Sequence, residues 1–207
     1  LDPRQLAIPA GAPSMGPHRF ALPNCPQVTI FKAFASKDEV DHLISLAAQA
    51  GSWQSVGAAN PTSGDAGGAV CCALQPGQTA IVRSLEERAA RLAGVDVAHL
   101  EHLSLLRVEP GQSVGLHHDG HGRSRTLLLY LNDLPSSTEG ETHFPNLSLK
   151  VLPHCGTAIL WTNLRQDGSE DIEVQNEELP PQSATKYAMR FYFNMKPIRQ
   201  GAWEAGK

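Results

Sequence analysis

The chain has 207 residues, 41% of them hydrophobic, which is enough for one domain of ordinary size with a buried core. Its formal net charge of -4 argues against nucleic-acid binding, which usually requires a basic surface. No run of about 18 apolar residues occurs, so the sequence predicts no membrane-spanning helix. It predicts no particular oligomeric state, and it is compatible with either the secretory pathway or the cytoplasm.

Five prolines and little hydrophobic periodicity distinguish residues 1–24, which we expect to form an arm or linker. One domain is expected over residues 25–198, followed by a short tail over residues 199–207. The four cysteines of the chain form no C-x-x-C pair, which argues against a zinc ribbon. We expect four reduced thiols, with one or two disulfides as the alternative.

Two segments have the periodicity of amphipathic helices. The first begins after Ser36, which is placed to form a capping box with Glu39, and it is expected to end at Gly51. The second is predicted over residues 79–93, with Gly94 at its end. The apolar faces of these helices would consist of Val40, Leu43, Ile44 and Ala47 in the first, and Ile81, Val82, Leu85, Ala89 and Leu92 in the second.

After Gly94 the pattern changes to that of short strands separated by Gly and Pro turns. The strand-like segments are HLSLLRVE, RTLLLYLND, TAILWTN and KYAMRFYFNM, and a further strand is expected near residues 69–73. In RTLLLYLND both faces carry apolar residues, so we expect this strand to be central. The sequence therefore predicts a mainly β protein with supporting helices, either a sandwich or a jelly roll.

The stretch GLHHDGH, residues 115–121, concentrates three histidines around one aspartate. If it forms a strand, His117 and Asp119 point to the same side, whereas His118 points away. One imidazole and one carboxylate suit a divalent iron-like ion, whose recurring protein site has two histidines and one carboxylate. A polar turn with a His–Asp hydrogen bond is the alternative interpretation of the same residues.

Seven segments, in order, resemble the prolyl 4-hydroxylase-like branch of the Fe(II)- and 2-oxoglutarate-dependent dioxygenases. They are LLRVEPGQ, HHD, RTLLLYLND, EGETHFP, VLPHCGTAILWTN, DGSED and the block around Lys186, and the resemblance extends over residues 26–196. It implies a double-stranded β-helix, or jelly roll. It also implies Fe(II) and 2-oxoglutarate as cofactor and co-substrate, and ascorbate as reductant.

By this resemblance, His117 and Asp119 are the first two iron ligands. Lys186 matches the basic residue that binds the distal carboxylate of 2-oxoglutarate, and a buried dianion requires such a cation. Thr142 matches a hydroxyl that assists this carboxylate. Tyr130 lies on a strand expected to line the same pocket, and a plain core position is the alternative for it.

The third iron ligand departs from the family pattern. The second histidine of the family lies ten residues before the lysine, and that position is Asn176 here. Asn176 would coordinate iron weakly or through water, or His121, His143 or His154 would take its place. The same asparagine is also compatible with a site that no longer binds iron, and with a histidine replaced by design.

The first expectation is a hydroxylase with an altered iron site, acting on a C–H bond of a peptide, protein or small molecule. The alternative is a catalytically silent domain that binds a peptide, a protein or 2-oxoglutarate. The segment GGAVCCALQPG lacks the arginine that peptidyl-prolyl members carry there, which argues against their mode of substrate recognition. Arg123, Arg125 and Arg190 are expected to lie at the surface or in charge pairs.

Overall fold

The structure is a computed structural model that describes residues 1–8, 16–56, 68–120, 122–135 and 139–199. Two antiparallel sheets form the framework of the fold. The larger sheet has the strand order β1-β2-β10-β7-β12-β5-β4-β3, and the smaller sheet has the order β6-β11-β8-β9. The strands are β1 (His18–Ala21), β2 (Val28–Lys32), β3 (Gln54–Val56), β4 (Ala69–Leu74), β5 (Leu103–Val108), β6 (Val114–His117), β7 (Arg123–Tyr130), β8 (Thr142–Phe144), β9 (Leu149–Val151), β10 (Ala158–Thr162), β11 (Asn176–Glu178) and β12 (Lys186–Asn194). The helices are α1 (Lys37–Ala50) and α2 (Ala80–Ala93), with short 3-10 turns at Pro3–Gln5, Val97–His99, Pro145–Leu147 and Ile172–Val174.

Both predicted helices are present with the predicted ends. Ser36 caps α1 through a reciprocal capping box with Glu39, and Gly51 ends it in the left-handed conformation. Thr79 caps α2 by accepting a hydrogen bond from the backbone of Val82. Local capping chemistry therefore fixes where each helix starts and stops, independently of the sheet beneath it.

Strand β7 is central, as predicted from its two apolar faces, and it lies between β10 and β12. Leu127 and Leu129 pack toward the helices, in one buried cluster with Leu43 of α1. The alternate residues, such as Leu128, belong to a second cluster with residues of the smaller sheet. The helices thus cover the outer face of the large sheet, and the two sheets enclose the second core between them, in the predicted jelly-roll arrangement.

The predicted N-terminal arm contains one strand of the large sheet. Strand β1 pairs antiparallel with β2, so that His18 lies opposite Lys32 at one end of the ladder. The four cysteines, all of them among the described residues, are free thiols. Among the helices that the structure describes, none combines the length and the apolar character needed to cross a membrane.

Candidate active site

The two predicted ligands His117 and Asp119 lie side by side, although not on one strand as predicted. Strand β6 ends at His117, and Asp119 belongs to the irregular segment that follows. His117 Nε2 is nevertheless 3.4 Å from Asp119 Oδ1. Two donors bound at right angles, each about 2.1 Å from one ion, lie about 3.0 Å apart, so the observed spacing suits a shared cation.

The hydrogen bonding of this pair also fits a metal. His117 Nδ1 is 2.8 Å from the backbone oxygen of Gly115, to which it donates, so Nε2 is the ring nitrogen that faces Asp119 and that can bind a metal once it has lost its proton. Asp119 is 5% exposed, and its Oδ2 atom is buried without a hydrogen-bond partner. An orphaned carboxylate oxygen is uncommon in a folded interior and is satisfied by a bound cation. The residues present therefore fit one imidazole and one carboxylate ligand to a divalent ion.

The electrostatics keep Asp119 ionised. Burial acts to raise its pKa, but the hydrogen bond and charge of His117, with the charge of Arg190, hold the pKa below its usual value. Burial conversely acts to lower the pKa of His117, and the neighbouring Asp119 more than offsets this, so the pKa of His117 is raised. An ionised carboxylate is the form that binds metal, and a cation beside it would displace the proton from His117.

Asn176 occupies the place across from His117. The two residues are paired in register on the antiparallel strands β11 and β6, and Asn176 is 2% exposed. Its amide nitrogen donates to the backbone oxygen of Val174 at 3.3 Å, so the amide oxygen is the atom that it would offer to a metal. A neutral amide oxygen is a weaker ligand for an iron-like ion than an imidazole nitrogen.

Of the other candidate histidines, the two that the structure describes do not supply the missing imidazole. His143 lies on β8 with its Nδ1 2.7 Å from Oε1 of Glu177, on the face opposite to the buried Thr142. His154 lies 2.6 Å from Asp133 in an exposed pair. His121 lies outside the described residues. Within the described ranges, no group of three or more His, Cys, Asp and Glu side chains is arranged to hold a metal ion.

Lys186 is buried between the two sheets, with no exposed surface. Its Nζ donates to Oε2 of Glu178 at 2.5 Å and to the backbone oxygen of Gly140 at 2.6 Å. The same Glu178 oxygen accepts a hydrogen bond from Thr142 Oγ1 at 2.9 Å, and Thr142 accepts one from the Tyr130 hydroxyl at 2.8 Å. The three predicted co-substrate residues therefore lie together, around a carboxylate that belongs to the chain itself.

Burial dominates the electrostatics of this cluster. It lowers the pKa of Lys186, although the adjacent Glu178 acts in the opposite direction. It also raises the pKa of Tyr130 well above its usual value, so the phenol stays protonated and remains a donor. The ammonium of Lys186 already has an anionic partner in Glu178, so the cluster as folded does not fit the distal carboxylate of 2-oxoglutarate.

Two residues of this region were missed or misplaced by sequence reasoning. Glu178 was not predicted to be in the site, although it lies two residues after Asn176, where strand alternation places it on the same face. Arg190 was expected at the surface or in a charge pair. The surface position is wrong, since Arg190 is 6% exposed, and the charges of Glu178 and Asp119 act on it. The signal was the alternation along β12, which puts Lys186 and Arg190 on one face with Tyr192.

A cleft of about 500 Å³ opens beside the ligand pair, lined by both His117 and Asp119. Arg190 and Tyr192 line it from β12, and Arg123 stacks over the Tyr192 ring with its guanidinium carbon 3.7 Å from the ring centroid. Arg123 also forms an ion pair with Glu101 at 2.8 Å, in agreement with the predicted charge pairing of this arginine. The cleft is large enough for a small molecule or a few residues of a peptide.

No family model matches the chain. The curated relatives that it matches are named prolyl 4-hydroxylases. The probable prolyl 4-hydroxylase 11 of Arabidopsis thaliana is 31% identical over 151 residues, which cover 68% of this chain and 55% of that protein. Prolyl 4-hydroxylase 5 of the same plant is 27% identical over 207 aligned positions, covering 84% of this chain and 70% of that protein. The chain thus spans only part of the length of these relatives.

Solved structures of prolyl hydroxylases share the fold. The 2OG complex of the viral collagen prolyl hydroxylase from Paramecium bursaria Chlorella virus-1 has a TM-score of 0.67 at 22% identity, covering 80% of this chain and 94% of that one. A Pseudomonas putida prolyl-4-hydroxylase has a TM-score of 0.58 at 19% identity, covering 81% and 92%. These structures share the fold of the chain, and together with the relatives above they support a prolyl 4-hydroxylase-like 2-oxoglutarate oxygenase, a family that uses Fe(II) and 2-oxoglutarate.

Proposed function

We propose that this chain is an Fe(II)- and 2-oxoglutarate-dependent oxygenase that hydroxylates a C–H bond of a peptide or small molecule, through an iron site altered at one ligand. The observation that carries the proposal is the Oδ2 atom of Asp119, buried without a hydrogen-bond partner beside Nε2 of His117 at the edge of the cleft. His117, Arg190 and Thr126 also interact with this carboxylate, but a bound cation would supply the partner that Oδ2 lacks within the described residues.

Each site residue has a distinct task in this proposal. His117 and Asp119 would hold the iron, and Asn176 would offer its amide oxygen at the third position. Iron, when bound, supplies the activation of oxygen that no side chain can provide. The hydrogen bond from His117 to Gly115 fixes the ring tautomer and so keeps the ligand nitrogen directed at Asp119.

The cleft determines what the proposed enzyme would act on. Its walls combine the apolar Val56 and Val114 with the cationic Arg190, so they suit a substrate with an apolar body and a polar or anionic group. One solved relative by fold is a prolyl hydroxylase from Trichoplax adhaerens in complex with a peptide fragment of a hypoxia-inducible factor degradation domain. This supports a peptide as one class of substrate for the present chain.

A catalytically silent binding module is the second candidate, and the buried pair of Lys186 and Glu178 favours it. Two of the three N–H donors of the Lys186 ammonium are already used, by an internal carboxylate and a backbone oxygen, and its charge is already paired. In that case the cleft would serve only to bind a peptide, a protein or a small molecule.

Uncoupled turnover distinguishes the two candidates without knowledge of the substrate. The protein is incubated in air with Fe(II), ascorbate and 2-oxoglutarate, and succinate is followed by NMR, with Asp119→Asn as the background control. Succinate above the control supports the oxygenase. Absence of succinate, with no binding of Fe(II) by titration, would reject it in favour of the silent module.

A further inference from the structure

The carboxylate of Glu178 lies where the resemblance to the family expects a ligand. Its Oε2 accepts hydrogen bonds from both Lys186 and Thr142, the two residues whose counterparts are expected to bind the distal carboxylate of 2-oxoglutarate. Glu178 is 1% exposed, so its contacts are made in the dry space between the sheets. These are the contacts that a carboxylate of a bound dicarboxylate would make.

The position next to the Lys186 ammonium is already taken by a carboxylate. Lys186 and Glu178 are ion-paired at 2.5 Å, and neither side chain has significant contact with solvent. The charges of Arg190 and Glu141 also act on Lys186, in opposite directions. A second carboxylate at the same ammonium would place two like charges side by side in a medium of low dielectric constant, where the repulsion is strong. The ligand and Glu178 therefore exclude one another.

The strand geometry explains how Glu178 reaches this position. β11 belongs to the smaller sheet, whereas Lys186 is the first residue of β12 in the larger sheet, so the ion pair crosses the space between the sheets. Asn176 and Glu178 share the inward face of β11, whereas Glu177 points outward to His143. Pairing with β6 is irregular between Asn176 and Glu178, which separates the metal end of the strand from the lysine end.

We propose that Glu178 is an internal substitute for the carboxylate of a linear dicarboxylate ligand, and that removal of its side chain opens a dicarboxylate-binding pocket on Lys186. The inference takes Lys186 as the co-substrate contact, as the family resemblance implies, and it rests on the proposed function in that 2-oxoglutarate would reach Lys186 by displacing the Glu178 side chain. In the protein as folded, a dicarboxylate binds only when Glu178 is displaced. Glu178 thereby sets both the selectivity of the pocket and the condition under which it is open.

The test is binding of glutarate and 2-oxoglutarate, without metal, to the wild-type protein and to Glu178→Ala. Calorimetry should show a dicarboxylate affinity at least about tenfold higher in the variant. Lys186 can then offer the ligand a charge-assisted hydrogen bond, whose strength corresponds to at least about a tenfold change in affinity. The melting temperature of Glu178→Ala should be below that of the wild type and should rise when glutarate is added. Adding Lys186→Met to Glu178→Ala should abolish the binding, and the neighbouring Glu177→Ala should behave like the wild type.

Two results would overturn the proposal: a wild-type protein that binds glutarate as tightly as Glu178→Ala, or a folded Glu178→Ala that binds none. If Glu178→Ala does not fold, Glu178→Ser also removes the carboxylate and most of the side-chain volume, and the same comparison applies to it. Glutarate has no keto group and these assays contain no iron. A failure of the hydroxylase activity would therefore leave the outcome unaffected, and the two proposals can fail separately.

Discussion

Asn176 lies opposite His117 on the antiparallel strands β11 and β6, with the two residues in register. Residues paired in this way have Cβ atoms about 4.5–5.5 Å apart, close enough for both side chains to reach one ion. The backbone at position 176 is thus placed as that of a metal ligand would be. Only the side chain differs, because it carries an amide where the family resemblance implies an imidazole.

Asn176→His should therefore strengthen metal binding. An imidazole nitrogen replaces a neutral amide oxygen, and we expect Fe(II) or Mn(II) affinity to rise by about 10- to 100-fold, the scale seen when supporting groups of metal ligands are changed. Calorimetric titration under anaerobic conditions measures this. Asn146→His, at an exposed asparagine, is the matched control and should leave the affinity unchanged. Equal affinity in all three proteins would show that position 176 does not face the ion.

Asp119→Asn should abolish metal binding while the fold is retained. The amide keeps the shape of the carboxylate but removes the negative charge next to His117 and near Arg190. We expect metal affinity to fall at least about tenfold, and the free energy of unfolding to fall by about 1–3 kcal/mol because a buried charge-assisted contact is lost. Titration and urea denaturation measure the two effects. Asp133→Asn, in the exposed pair with His154, should change neither quantity, and unchanged metal affinity in Asp119→Asn would contradict the site.

Lys186→Met should strongly destabilise the protein, because Glu178 is left buried without a cation. Breaking a buried ion pair from one side costs about 3–5 kcal/mol, whereas replacing both partners by apolar residues is often nearly neutral. The double variant Lys186→Met/Glu178→Leu should therefore recover most of the loss in urea denaturation. Lys37 and Asp41, an exposed pair on α1, provide the matched control pair, and the single variants of these two residues should be as stable as the wild type. Additive losses in the buried cycle would show that the two charges do not interact.

Glu39→Gln should change the pH dependence of stability. Burial acts to raise the pKa of Glu39, but hydrogen bonds from Arg88 and Ser36 hold it below the usual value of 4.5. A lowered folded-state pKa stabilises the protein above the unfolded pKa, and this contribution is lost as the pH falls through the folded pKa. Near neutral pH the wild type should be more stable than the variant by about 1 kcal/mol. The difference should shrink below about pH 4 in denaturation curves, and a constant difference across this range would contradict the prediction.

The sequence predicts those features of the fold that depend on neighbouring residues. The capping box of Ser36 and Glu39 identified the start of α1 because caps act within one turn, and the apolar periodicity identified α2, whose cap Thr79 was expected only as the first helical residue. The two apolar faces of β7 identified a central strand because burial on both sides leaves that composition. For the site, the H-x-D spacing brought together His117 and Asp119 even though the strand ends between them.

What the sequence did not predict depends on contacts between strands of different sheets. Glu178 and Lys186 are eight residues apart in the chain, separated by a turn whose geometry decides whether their side chains meet. Arg190 lies on an inward face, where an arginine is rare without a partner, so composition alone placed it at the surface. Its neighbours Tyr192 and Asp119 cannot be identified from the sequence, because their proximity depends on how β12 faces the segment after β6.

Strand β11 has only three residues, and both of its inward positions, Asn176 and Glu178, are polar and buried. Neither residue belongs to the two hydrophobic clusters that form the core. The polar chemistry of the space between the sheets is thus concentrated on one very short strand, whereas the apolar packing of the fold is supplied by other segments.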